Sequence, residues 1–520
     1  MLKTGFHILI LLSFWLASGL AHHAAAQNKD PIRVELNANL DMEDYQLIPC
    51  GKNGVFVFFE SNQAGKAEDT RRWHFAMYNK HFKQQWVADT ALIYGAKFKG
   101  YAADAQYTYL FFIDEDKQKS PYNFQVLRLD YDIDSFALIN ASIPENSEPV
   151  GFEIVDEQAV VALNNSSYEP QIAMLDLISG AVKIINPEIE GLNIIQQMFY
   201  DDTQRNWYFV VDNYLGKKQN AIIVLKANAN GQVIKTFMIN TVIENKVLNE
   251  ARIASTEGDT LLIAGTYHNH AAKLRSTTDE EGIESAGYFF CRFEGETQTL
   301  INYYNFLEFE EMYRSLSSKT LAEVRRKAEK QKNKGEEYSL DYTVLLHDVV
   351  HYDNEFVIIS EAYYPEYRTV TNMYYDYYGR PIPQTYTVFD GFKYISGIVA
   401  SFNRQGEMNW DNGVELIGIL TFNLSKYTGS FVSGDELALF YSNANKVNYK
   451  MMGSGREPGS LQNINLEKFY KGDKVMEDLG SRIIHWYNNY FICYGYQTIK
   501  NNRISGGKRT IFYFHKLAFN

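Results

Sequence analysis

Dense apolar runs recur through this 520-residue chain at a nearly fixed interval. They begin near Val55, Tyr107, Ala159, Trp207, Thr260, Glu355, Glu436 and Tyr490. The successive spacings are 52, 52, 48, 53, 95, 81 and 54 residues, so five cluster near fifty and the two long ones imply insertions. A period of that size belongs to solenoids, propellers and arrays, whose units bury their apolar faces only against one another.

Each unit has the same parts. A polar turn opens into a continuous hydrophobic run, such as Asp259-Thr260-Leu261-Leu262-Ile263-Ala264, as strands buried on both faces do. A hairpin follows. In Ile398-Val399-Ala400-Ser401-Phe402-Asn403-Arg404-Gln405-Gly406-Glu407-Met408-Asn409-Trp410 an apolar run ends in a polar turn closed by Gly406, and a second run returns to Trp410. Glycine at the end of such a turn suits a positive φ. A weaker, more polar strand precedes each dense run. That makes about four antiparallel strands per unit, the content of a propeller blade. The last unit lacks its outer strand, and 32–37 offers a spare one ahead of the first full unit. Pairing the two closes the ring. The expectation is a single all-β propeller of about eight four-stranded blades, with seven as the alternative, occupying 27–520.

The pattern resembles the β-propeller superfamily, in particular the quinoprotein-like and WD40-like repeats, over about residues 30–520. The resemblance rests on the blade pattern and on Gly406 followed four residues later by Trp410. The Gly-His and Trp-Asp pairs of a WD40 blade are missing from their places. The resemblance implies a fold and no particular activity.

Residues 1–26 read as a signal peptide: Lys3, then an apolar stretch over 8–20, then Ala24-Ala25-Ala26 at the cleavage positions. The apolar stretch is shorter than a spanning helix needs, and no later stretch is long and apolar enough to cross a membrane. With 63 acidic against 50 basic residues and no basic block, nucleic acid is not an expected partner. Cys50, Cys291 and Cys493 are too few for a disulfide framework. Cys291 and Cys493 read as core residues, and a bridge between Cys50 and Cys493 is conceivable if the chain ends meet.

Two insertions break the period. The first, 306–337, reads as helical: Leu307, Phe309, Tyr313 and Leu316 suit one short amphipathic helix, and Thr320 with Glu323 suits a capping box. Its basic run, from Arg325-Arg326-Lys327 to Lys334, is a solvated arm or a docking surface for an acidic partner. The second, 363–392, holds ten Tyr and Phe residues in thirty and is punctuated by Gly379-Arg380-Pro381-Ile382-Pro383. It reads as an aromatic loop insertion, either a hairpin that folds over its own blade and buries most of its rings or a platform for a protein or a sugar. The platform residues are Tyr374, Tyr375, Tyr377, Tyr378, Arg380, Tyr386 and Phe389, since Tyr and Arg dominate interface energetics.

No catalytic residue can be named. G-x-S-x-G, H-E-x-x-H, C-x-x-C and P-loop patterns are missing. His268-Asn269-His270 lacks a third metal ligand and reads as an exposed loop, and Asp130-Tyr131-Asp132-Ile133-Asp134 reads as a hairpin turn rather than a calcium loop. No metal and no cofactor are expected. A quinone-dependent dehydrogenase would need a calcium site and a Trp floor, and no Trp stands in an obvious floor position. The carboxylates of a propeller glycosidase would come from different blades, so spacing cannot locate them. The expectation is a non-enzymatic binding or scaffold module, exported to the envelope of a Gram-negative bacterium. Because the chain ends on a blade strand, the periplasm is favoured over the exterior. Its partner would be another envelope protein or a glycan. The alternative is a carbohydrate-active enzyme or glycan-binding propeller with its site in the central channel.

Overall fold

The computed structural model describes residues 33–40, 44–64, 70–104, 106–114, 122–131, 135–216, 219–241, 246–269, 282, 284–314, 322, 325–326, 329–330, 333, 341–352, 354–434, 436–454, 459–503 and 507–519. Among the described residues the dense runs become the second strands of eight antiparallel sheets. They are Val55–Ala64, Tyr107–Asp114, Gln158–Asn165, Asn206–Gly216, Thr260–His268, Glu355–Tyr375, Glu436–Asn443 and Tyr490–Lys500, each starting within one residue of its expected position.

These strands are buried because every blade is covered on both faces. Eight apolar clusters lie between the sheets, one for each neighbouring pair, and together they close a ring. Phe56, Phe58 and Phe75 of the first blade meet Leu110 and Phe112 of the second. Trp207 and Phe209 of the fourth meet Val160 and Met174 of the third. The first strands face the axis and are more polar. They also carry bulges, as between Ile195 and Gln197, and amides from neighbouring blades satisfy the displaced backbone: Asn164 accepts from Ile195 N at 2.8 Å and donates to its O at 2.9 Å.

The seam is closed as the sequence predicts. Arg33–Asn37 pairs antiparallel with Lys508–Ala518, so the first strand of the chain is the outer strand of the last blade. Arg33 is buried there, donating to Glu35 and Gln497 at 2.8 Å each, with its guanidinium 4.2 Å from the Tyr513 ring centre. Arg509 ties Glu35 to Asp473 at 2.9 and 2.7 Å, and Trp486 Nε1 donates to Gly54 O across the seam at 2.8 Å.

The second insertion is a hairpin, and most of its rings are exposed rather than folded over its own blade. Glu355–Tyr375 and Pro381–Phe402 run on as one continuous antiparallel hairpin, paired from Phe356↔Phe402 to Tyr375↔Pro381. Its Thr, Val and Tyr content favours extended, pleated backbone. Cys50 and Cys493 do not pair: all three cysteines are free and buried, with Cys50 between the first two blades and Cys493 between the last two. Of the first insertion, Phe306–Glu308 is a 3-10 turn and Glu310–Arg314 a single helical turn. Phe306, Phe309 and Met312 bury themselves between the fifth and sixth blades. Thr320 and Glu323, read as a capping box, lie outside the described residues, as do residues 1–26, read as a signal peptide. Arg325, Arg326 and Lys330 of the basic run are exposed and helical.

Candidate functional site: an aromatic ribbon and an axial cavity

The hairpin leaves its blade at Tyr363, which is buried against Phe392 and Tyr394. From Tyr364 to the tip it continues as a two-stranded ribbon about 40 Å long. Directly opposed residues share a face. Tyr367, Thr369, Thr371, Met373 and Tyr375 lie with Phe389, Thr387, Thr385, Pro383 and Pro381, so one face carries no charge at all. The other holds Tyr374 with Ile382, Asn372 with Gln384, Val370 with Tyr386 and Arg368 with Val388.

The ribbon's charges cancel internally. Between 364 and 393 there are three acidic and three basic side chains. All six pair with one another: Lys393 with Glu366 at 3.3 Å, Arg368 with Asp390 at 3.0 Å and Arg380 with Asp376 at 2.8 Å. A neutral, aromatic arm thus projects from a chain of net charge −13.

The tip has the turn used at the blade edges. Asp376 N–H donates to Arg380 O at 3.0 Å, Gly379 N–H to Asp376 O at 2.9 Å, and Gly379 has φ 74°. Asp376 Oδ1 accepts from Tyr378 N and Arg380 N, which holds its carboxyl below the usual range. Asn403 and Gly406 build the same turn, with Gly406 at φ 72°, and so do Asn228 and Gly231. The two central positions there are Arg404-Gln405 and Ala229-Asn230. Here they are Tyr377 and Tyr378, which are 97% and 78% exposed. Their rings meet edge-on at 5.5 Å, and the Arg380 guanidinium lies 5.3 Å from the Tyr378 ring. The turn needs Asp376 and Gly379 and has no structural use for two tyrosines.

Of the seven platform residues expected from sequence, Tyr374, Tyr375, Tyr377, Tyr378, Arg380 and Tyr386 are exposed on this ribbon. Phe389 is half-buried near its base, 5.0 Å from Phe392 and 5.7 Å from Tyr367. Tyr386 OH accepts from Asn372 at 3.1 Å. The charge of Arg380 is answered by Asp376, so it supports the tip rather than offering a free cation.

A second feature escapes sequence reasoning. A cavity of about 800 Å³ opens at the axis, lined by Glu153 and Gln197 from the third and fourth blades, and by Glu257, Asp348, His351 and Arg404 from the fifth and sixth. Burial raises the Glu153 carboxyl pKa, and the carboxylates of Asp202 and Asp348 add to it. Arg252 spans Glu250 and Asp348 at 3.7 and 3.6 Å, Gln197 donates to Asp348 at 3.0 Å, and Arg404 pairs with Glu257. Burial lowers the pKa of nearby Lys426. These groups are spread from position 153 to position 426 and carry no common spacing.

Other candidates resolve as structure. His268 is buried at the end of its strand rather than exposed in a loop, and His270 lies outside the described residues. Asp130 ends a strand that pairs antiparallel with Ser135–Ala141, and Asp132 and Asp134 lie outside the described residues. Among the described residues no group of three or more His, Cys, Asp or Glu could hold a metal ion. No described helix is long and apolar enough to cross a membrane.

No protein-family model and no curated protein matches the chain. Solved structures do. The polysaccharide lyase Uly1 aligns over 82% of this chain and 90% of its own, at 9% identity and TM-score 0.40. The β-propeller domain of the Trilobed protease from Pyrococcus furiosus aligns over 80% and 93%, at 9% identity and TM-score 0.33. The likeness is one of fold alone.

Proposed function

We propose that this propeller is a non-enzymatic binding or scaffold module, exported to the bacterial envelope and working in the periplasm, that holds a protein partner on its aromatic ribbon. The observation that carries this reading is the tip. A turn whose geometry is set by Asp376 and Gly379 presents Tyr377 and Tyr378 almost wholly to water. Exposed Tyr rings give large contact area at low entropic cost, and a neutral arm avoids the desolvation of unpaired charge. The exposed Arg325, Arg326 and Lys330 supply a second contact for an acidic partner. The test is retention of envelope proteins on the immobilised chain. Tyr377→Ser with Tyr378→Ser should lose a partner that the wild type keeps. A partner kept after removal of both 364–393 and 315–340 would overturn the reading.

The axial cavity favours a second reading, a carbohydrate-active or glycan-binding propeller. The carboxyl of Glu153, raised in pKa beside Asp348, is the kind of group that serves as a general acid. A screen of acidic and neutral glycans for cleavage or binding, compared with Glu153→Gln, tests it. No cleavage and no binding would remove it.

A further inference from the structure

The two edges of the ribbon differ. The bond from Asp376 N–H to Arg380 O makes these residues a hydrogen-bonded pair. By alternation, Tyr375/Pro381, Met373/Pro383, Thr371/Thr385, Thr369/Thr387 and Tyr367/Phe389 are the pairs whose main-chain groups point outward. On one edge two of those outward positions are prolines, 381 and 383, with no N–H to offer. On the other edge residues 367, 369, 371, 373 and 375 all keep theirs. Inside the blade that second edge is covered by Tyr342–Leu346, whose pairing stops at Tyr363. Among the described residues no strand pairs with it beyond that point. A lone two-stranded ribbon is marginal in water, and an open edge is a template for another strand.

We propose that this edge pairs with the same edge of a second copy of the chain, antiparallel about a twofold axis at Thr371. The sequence is self-complementary in that register. Thr371 faces its own equivalent, Thr369 faces Met373 of the second copy, and Tyr367 faces Tyr375 of the second copy. Every outward N–H and C=O on the edge finds a partner, giving about ten main-chain bonds. The two uncharged faces join into one four-stranded surface, with cross-strand Tyr pairs at its ends. No unpaired charge enters the contact, because all six ribbon charges are already matched. The acidic bodies stay about 45 Å apart, well beyond the screening length of about 8 Å. The prolines on the far edge stop further addition, so the assembly closes at two copies and does not grow into a fibre. An extended segment of another protein would meet the same backbone groups but would not have this matched register.

The inference rests on reading the ribbon as a docking arm, but it uses the edge rather than the tip rings. The test is sedimentation velocity on residues 27–520 across a wide concentration range, with two matched variants. Thr371→Pro removes an outward N–H from the open edge, and Thr385→Pro does the same on the proline edge. Circular dichroism checks that both fold. The wild type and Thr385→Pro should dimerise alike, and Thr371→Pro should weaken the dimer about tenfold or more. A wild type that stays monomeric, a Thr371→Pro protein that dimerises normally, or equal loss in both variants would overturn the pairing. Tyr377→Ser with Tyr378→Ser should still dimerise. If that variant loses its envelope partner while the wild type proves monomeric, the pairing fails and the docking function stands.

Discussion

His515 makes the ring seam sensitive to acid. It sits on Lys508–Ala518, with Arg33 of the closing strand opposite it on one side and Cys493 on the other. Its side chain is fully buried. Burial, and then the Arg33 charge, lower its pKa to about 3. The unfolded chain takes up this proton near pH 6.5, so between about 6.5 and 3 the unfolded state binds more protons than the folded one. Stability is therefore complete above pH 6.5 and falls as pH drops toward 3. At pH 5.0 the loss is about 2 kcal/mol from this residue, and at pH 4.0 about 3 kcal/mol. A ring of about 490 residues unfolds with an entropy of about 1 kcal/mol/K, so the pH 5.0 loss corresponds to about 2 °C in Tm. Thermal unfolding of wild type and His515→Phe at pH 7.5 and pH 5.0 isolates it. The wild type should lose about 2 °C more than the variant, and its imidazole NMR signal should remain in the neutral position at pH 4.5. Equal losses in the two proteins, or an imidazole that titrates near pH 6.5 in the folded state, would refute the argument.

Other perturbations have effects fixed by single contacts. Glu361 is fully buried and accepts from Thr428 N at 2.7 Å, Tyr427 N at 2.9 Å and the Thr428 hydroxyl at 2.7 Å, with His347 Nε2 at 2.8 Å. Glu361→Ala orphans these donors between the sixth and seventh blades and should cost about 3–5 kcal/mol, seen as a lower Tm. Gly406→Ala places a Cβ at positive φ and 2.8 Å from the Phe290 ring. It should destabilise by about 2 kcal/mol in urea unfolding, whereas Gly379→Ala at the open tip should cost about half as much. Deleting 27–38 removes the closing strand and its Arg33 contacts, so protease cleavage should begin at the exposed edge of Lys508–Ala518.

The fold was legible because a blade cannot bury its faces alone. The runs at Val55 or Leu261 are continuous rather than alternating because both faces meet neighbouring sheets, and that requirement fixes the period. The spare strand at 33–37 was legible for the same reason, since the last unit lacked one. Cys50 and Cys493 looked joinable only because the chain ends meet. The ends do meet, but the seam passes between them, with one thiol on each flank. The ribbon was only half legible. Its aromatic density marked 363–392 as exceptional, but both a hairpin folded over its own blade and an open platform could be read from it. The signal that places the turn is the spacing in Asp376-Tyr377-Tyr378-Gly379-Arg380, which repeats that of Asn403-Arg404-Gln405-Gly406-Glu407. That spacing is a hairpin turn, and a hairpin turn requires paired strands on either side. The axial groups leave no such trace, because Glu153, Arg252 and Asp348 come from the third, fifth and sixth blades and meet only in the folded ring. The two candidate sites therefore differ in kind. The ribbon is a local insertion that can be removed while the ring stays closed, and the cavity is built from four successive blades of the ring itself. Acid that loosens the His515 seam should accordingly disturb any ligand of the cavity before it disturbs a partner held at Tyr377 and Tyr378, and binding titrations of each at pH 7.5 and 5.0 would separate the two.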